Sequence, residues 1–225
     1  MDLHAYLEVR DRLIPIVSVS DPEVAVPACP GWRVRDVLAH LTGLCEDWVE
    51  RRLEGYGSET WTASQVERFS DWSVAKLIAR WRELSDSFAK LDDDTMMGPP
   101  SRWAFGDAVI HEADIRGSLM AGRVPQSAVL LALKGTIGRW RQTLQSGDVP
   151  SLHLRTVEAR DWWLGQADDG GAVEVQAPLY EVFRALAGRR SEAQVRAWDW
   201  SRDPAPYLSI GLPYPFRWAS EDLHD

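Results

Sequence analysis

Residues 104–120, AFGDAVIHEADIRGSLM, read as one helix, yet Asp107, His111, Asp114 and Ser118 recur along it at steps of four, three and four. At 100° per residue these four fall within an arc of about 60°. Glu112 and Arg116 stand roughly opposite, four apart, as a surface ion pair would. Ala104, Ala108 and Ile115 flank the polar line on one side, and Gly106, Ile110 and Ala113 on the other. If Glu112 and Arg116 mark the solvent side, the line points into whatever the helix packs against. Burying carboxylates and an imidazole without partners costs roughly several kcal/mol each. A fold that accepts this helix must therefore compensate the line. A cation bound inside a helical bundle would do so, and so would a hydrogen-bonded network in which Asp107 or Asp114 holds a neutral histidine.

The surrounding sequence supplies the helices for a bundle. Apolar periodicity and Pro/Gly punctuation predict helices over 2–17, 33–52, 70–91, 103–121 and 127–145, the last with Ser127 as N-cap. A short helix is expected over 64–68, within an otherwise polar connection. DPEVAVPACPGW forms a stiff loop before the second helix, and LDDDTMMGPPS a turn after the third. Beyond Gly147 the pattern changes. SLHLRTVEA alternates as a half-buried strand, DDGG reads as a hairpin turn, and AVEVQ as a second strand. Pro178 opens a helix that Gly188 closes, VRAWDW is a strand or an irregular segment, and the proline-rich tail allows only a short turn. The fold class is mainly α: a helical bundle over residues 1–147 carrying a small C-terminal α+β region over 148–225.

Other residues could contribute chemistry. His40 lies at the edge of the stripe Val37, Leu41, Leu44 and Trp48, able to reach inward as a second metal ligand or to rest at the rim. Cys45 stands about 140° around the helix from His40, so the two cannot share an ion, and it reads as core. Cys29, in the proline loop, reads as the more exposed of the two cysteines. Arg189 and Arg190 read as a solvated basic corner or an anion clamp. Trp32, Trp48 and Trp103 could wall a pocket or simply pack. With 45% hydrophobic residues, a formal charge of −9 and no Lys/Arg block, the composition is that of a soluble globular protein without a footprint for nucleic acid or membrane. The N-terminus lacks the features of a signal peptide, so a cytoplasmic location is expected.

Three blocks, in order, resemble the mycothiol-dependent maleylpyruvate isomerase family of the DinB-like superfamily, actinobacterial type. VPACPGWRVRDVLAHL resembles the loop and helix carrying that family's first metal histidine, DAVIHEADIRG its later ligand helix, and LYEVFRALAGRRSEAQVRAWDW its C-terminal segment. The resemblance implies a DinB-like four-helix bundle holding a divalent metal, often zinc, with His40, Asp107 and His111 as ligands. Asp107 departs from the family's usual glutamate. It further implies mycothiol as co-substrate and a thiol transferase or isomerase acting on a small electrophile, with a metal-bound thiolate as nucleophile. Asp114 is the expected catalytic residue, orienting His111 or acting as a base, while Arg116 is structural. The alternatives are a non-catalytic metal- or ligand-binding module and a structural bundle with a hydrogen-bonded Asp/His core. The partners expected are a small-molecule thiol and an electrophile, with the protein a monomer or homodimer.

Overall fold

In the computed structural model the described residues are 4–88, 90, 100–165 and 171–225, with the side chains of 100–103 outside the description. The chain divides into two compact units, one running to Ala128 and taking in Asp225, the other covering Val129–His224. The sequence reading places the boundary at 147 instead. The fold is mainly helical with a small C-terminal sheet. Among the described residues no helix is long and apolar enough to cross a membrane.

The first unit contains α1 (His4–Val17), α2 (Val34–Val49), α3 (Glu59–Arg68), α4 (Val74–Phe88) and α5 (Pro100–Ser118). Helix α1 packs on α4 and α5, and α2 packs on α3, α4 and α5. The start of α2 is fixed by Asp36 at its third position, which accepts the backbone N–H of Arg33 (2.9 Å) and the Arg33 guanidinium. Burial opposes the charge of Asp36, but these bonds outweigh it and hold its carboxyl below the usual value. Helix α3 begins at 59 rather than 64, because Ser58 caps it by accepting the Trp61 N–H (3.2 Å) and Trp61 is buried. The expected turn over 91–101 lies outside the described residues, save the start of α5.

The core of this unit brings together Leu13, Leu38, Leu41, Leu44, Trp81 and Phe88. The Trp81 indole donates to the Tyr6 hydroxyl (3.0 Å), and the Phe88 ring lies 4.8 Å from that of Tyr6. Cys45 is buried among these groups, as expected, and burial pushes its thiol up to about 12. At pH 8 its thiolate fraction is then roughly 10⁻⁴. Iodoacetamide at pH 8 is therefore expected to leave Cys45 unmodified in the native protein and to alkylate it fully in urea, as read by peptide mass spectrometry. Stoichiometric labelling of Cys45 in the native state would contradict this placement.

The expectation that Glu112 and Arg116 face solvent is overturned. The Glu112 carboxylate is 0% exposed, accepting from Arg12 of α1 (2.9 and 2.6 Å) and from Arg116 (3.0 Å). With α1 on one side and α2 on another, α5 offers solvent no open side at this level. Both of its polar rows have buried members, Glu112 on one and His111 and Asp114 on the other, each compensated by its own partners.

Helix α6 (Gln126–Ser146) begins in the first unit and lies mostly in the second. Its first turn contains Ser127, which is thus not an N-cap. The second unit continues with β1 (Leu152–Thr156), β2 (Asp161–Leu164), β3 (Val173–Ala177), α7 (Leu179–Leu186), α8 (Glu192–Arg196), β4 (Asp199–Trp200) and α9 (Ala205–Ile210). The sheet order is β2-β1-β3-β4. The expected single strand over 151–159 breaks after Thr156, which donates its N–H to the Arg160 carbonyl (2.7 Å), and the chain returns as β2, antiparallel to β1. Strand β3 then pairs parallel with the other edge of β1, Leu152 opposite Val173, so the expected hairpin with AVEVQ does not form. The DDGG turn assigned to it lies, but for Gly171, outside the described residues. Inward alternation survives in both strands: Leu152, Leu154 and Thr156 are buried in β1, and Val173, Val175 and Ala177 in β3. The tail contains the helix α9, where only a turn was expected. Arg190 is buried and held by Glu181 (2.6 and 3.1 Å), which overturns the solvated-corner reading.

Candidate metal centre

The Cys29-Pro30-Gly31-Trp32 segment closes into a β-turn, with the Trp32 N–H donating to the Cys29 carbonyl (2.9 Å). Proline sits at the second position, where its fixed φ suits the turn, and Gly31 at the third, where φ is +83°. This turn ends just before α2. It sets the Trp32 ring 5.4 Å from the imidazole of His40 and 6.3 Å, nearly parallel, from that of His111.

His40 comes from α2, and Asp107 and His111 from successive turns of α5. The His40 and His111 rings meet edge to face at 4.9 Å. His40 Nε2 lies 3.1 Å from Asp107 Oδ2, and His111 Nε2 lies 3.7 Å from Asp107 Oδ1. One donor atom from each of the three lies within 4.8 Å of the other two. Donors around a tetrahedral zinc, with bonds of about 2.0–2.1 Å, stand about 3.3 Å apart, a separation that the 3.1 and 3.7 Å contacts to the Asp107 carboxylate bracket. The shorter aspartate reaches both imidazoles despite lacking the methylene of glutamate. His40 and His111 are buried, whereas the Asp107 side chain is 31% exposed. The cluster is therefore open to solvent on the aspartate side.

The opposite ring nitrogens are already engaged. His111 Nδ1 faces Asp114 Oδ2 at 3.0 Å, and an ionised Asp114, which only accepts, takes the Nδ1 proton and leaves Nε2 on the side of Asp107. Cys29 Sγ donates to the same Asp114 oxygen at 3.3 Å and lies 3.8 Å from His111 Nδ1. Behind His40, Nδ1 meets Gln65 Oε1 at 2.7 Å. Cys29, His111 and Asp114 also offer three donor atoms within 4.8 Å of one another. The Nδ1–H···Asp114 bond makes that trio a hydrogen-bonded support for His111 in the first instance.

Thus the four residues predicted for the site, His40, Asp107, His111 and Asp114, come together, while Ser118 does not join them. Its hydroxyl donates to the Asp114 carbonyl (2.8 Å) within its own helix. Cys29 is the more exposed of the two cysteines, as expected, but at only 9%, because the turn folds it onto α5. Its one signal in the sequence was the Pro-Gly turn beside it. Gln65 was missed altogether. Of the tryptophans proposed as pocket walls, Trp32 covers the two imidazoles, Trp48 is buried against the Tyr56 ring (5.5 Å), and the Trp103 side chain lies outside the described residues.

Comparison with known proteins adds a family. Residues 8–116 match the model of the mycothiol maleylpyruvate isomerase N-terminal domain. Among solved structures the chain is similar to the crystal structure of the mycothiol-dependent maleylpyruvate isomerase, with 16% identity, a TM-score of 0.56, and coverage of 96% of this chain and 95% of that one. It is similar also to that of a histidine-to-alanine mutant, again 16% identical over the same shares, with a TM-score of 0.58. No curated protein matches the chain.

Proposed function

We propose, from the match of residues 8–116 to the mycothiol maleylpyruvate isomerase N-terminal domain, that the chain belongs to that family and is a divalent-metal-dependent enzyme transferring a low-molecular-weight thiol to, or isomerising, a small electrophile. The observation that carries this reading is the convergence of His40 Nε2, the Asp107 carboxylate and His111 Nε2, with both Nδ1 atoms engaged behind them. We read α1, α2, α4 and α5 as the DinB-like four-helix bundle, since each packs on two others of the set. The cation would be zinc, held by His40, Asp107 and His111, and when bound it would supply the Lewis acidity that lets a thiol ionise near neutral pH.

The protein's own residues have separable tasks. Asp114 holds the Nδ1 proton of His111 and thereby fixes the ring; being buried and already accepting two hydrogen bonds, it serves as an orienting group rather than as a base toward substrate. Trp32 shields both imidazoles from water on one side. Asp107, partly exposed, marks the side from which thiol and electrophile approach. That exposure also speaks against a purely structural Asp/His core, whose carboxylates would be sealed. Mycothiol is the thiol we expect, and the cytoplasm, where thiols stay reduced, the compartment.

The test uses untagged protein reconstituted with zinc and incubated with mycothiol and a panel of small α,β-unsaturated carbonyl electrophiles, including maleylpyruvate. Thiol-dependent conversion of one electrophile above the uncatalysed rate, abolished by a chelator, is the expected result. A fully loaded protein that binds thiol but turns over nothing across the panel would favour the binding-module reading instead.

A further inference from the structure

Gln65, on α3, is completely buried, and both ends of its amide are committed. Its Nε2 donates to Asp47 Oδ2 at 2.8 Å, and Asp47 Oδ1 takes Arg52 Nε at 2.9 Å and an Arg68 guanidinium nitrogen at 2.8 Å. A carboxylate held by two guanidinium groups only accepts, so the amide nitrogen must face Asp47 and the amide oxygen must face His40. That oxygen also only accepts, which requires the proton of His40 to sit on Nδ1, 2.7 Å away. Nε2 then faces Asp107 Oδ2 at 3.1 Å, where either a proton or a cation can join the two. The backbone makes room for this arrangement: a Cβ at Gly43 of α2 would stand 2.6 Å from the Gln65 Cβ, so α3 can approach α2 this closely only because residue 43 lacks a side chain.

We propose that Gln65 is a positioning residue for the metal centre, selecting the His40 tautomer and ring orientation through the chain Arg52/Arg68–Asp47–Gln65–His40. The inference rests on the metal-centre reading above. It also makes the two imidazoles differ in kind, since a neutral amide stands behind His40 and a carboxylate behind His111. An amide fixes geometry without adding a charge next to the ligand, whereas a carboxylate adds basicity as well.

Three measurements test this on the full-length protein. Long-range ¹H–¹⁵N NMR of the metal-free wild type is expected to show a proton on His40 Nδ1, and a bare Nδ1 would overturn the proposal without any variant. Gln65→Leu, which keeps the volume and removes the acceptor, is expected to lose that preference and to bind zinc 10- to 100-fold more weakly in competition with a chromogenic chelator. In Gln65→Glu a proton shared between the new carboxyl and Asp47, whose Oδ2 lies 2.8 Å from the amide nitrogen in the wild type, replaces the amide donor and leaves an acceptor facing His40, so zinc binding is expected to stay within a few-fold of wild type. Equal weakening in both variants, or none in Gln65→Leu, would reduce Gln65 to packing and overturn the proposal. A wild type that binds no zinc would instead sink the underlying metal-centre reading, while the tautomer measurement still reports on Gln65.

Discussion

His111→Ala is expected to bind zinc about a hundredfold or more weakly than wild type. Structural zinc sites in small domains contribute about 10–16 kcal/mol over four ligands, so one ligand's share is roughly 3 kcal/mol, a factor of about a hundred. The substitution removes the Nε2 donor near Asp107 and leaves the Asp114 carboxylate, buried and formerly shared between His111 and Cys29, with one of these two partners. Both effects act in the same direction. The measurement is zinc per chain after gel filtration of untagged protein, with an affinity from chelator competition and His224→Ala, on an exposed residue near the chain's end, as control. Full zinc occupancy at wild-type affinity in His111→Ala would remove this residue from the ligand set and leave only family kinship.

The second large effect concerns stability. Glu112→Ala is expected to cost about 3 kcal/mol in urea unfolding, the magnitude found when one partner of a buried ionic network is deleted. Glu112 is fully buried, accepts three hydrogen bonds from two arginines, and joins α1 to α5. Removing it leaves the Arg12 and Arg116 side chains, which are 23% and 14% exposed, without this carboxylate. A surface ion pair would give about 1 kcal/mol or less, so a loss below that level would restore the solvent-facing assignment.

That contrast shows where the sequence was readable. The spacing of Asp107, His111 and Asp114 defined a shared face from helix geometry alone, and His40 could be placed at an inward edge of its own stripe; the structure brings all four together. What spacing could not reveal was the number of neighbours around α5. A helical wheel assumes one wet side, and Glu112 with Arg116 fits that picture until a third group, Arg12 from a hundred residues earlier, turns the pair into a buried network. Gln65 was opaque for a similar reason. It lies in the polar stretch ETWTASQVER, where nothing local distinguishes a solvated amide from one held between His40 and Asp47. The sheet was legible in its alternation but not in its order, since alternation is the same whether β1 pairs antiparallel with β2 or parallel with β3.

The two rows of α5 have a practical consequence for anyone transplanting this centre into another scaffold. Copying the donor side chains and their immediate supports would carry over a helix whose reverse side bears a glutamate at 112 with one of its two arginines, Arg116. The smallest portable unit therefore includes the first helix with its arginine at 12, and a graft that omits it would inherit a half-satisfied carboxylate along with the chemistry.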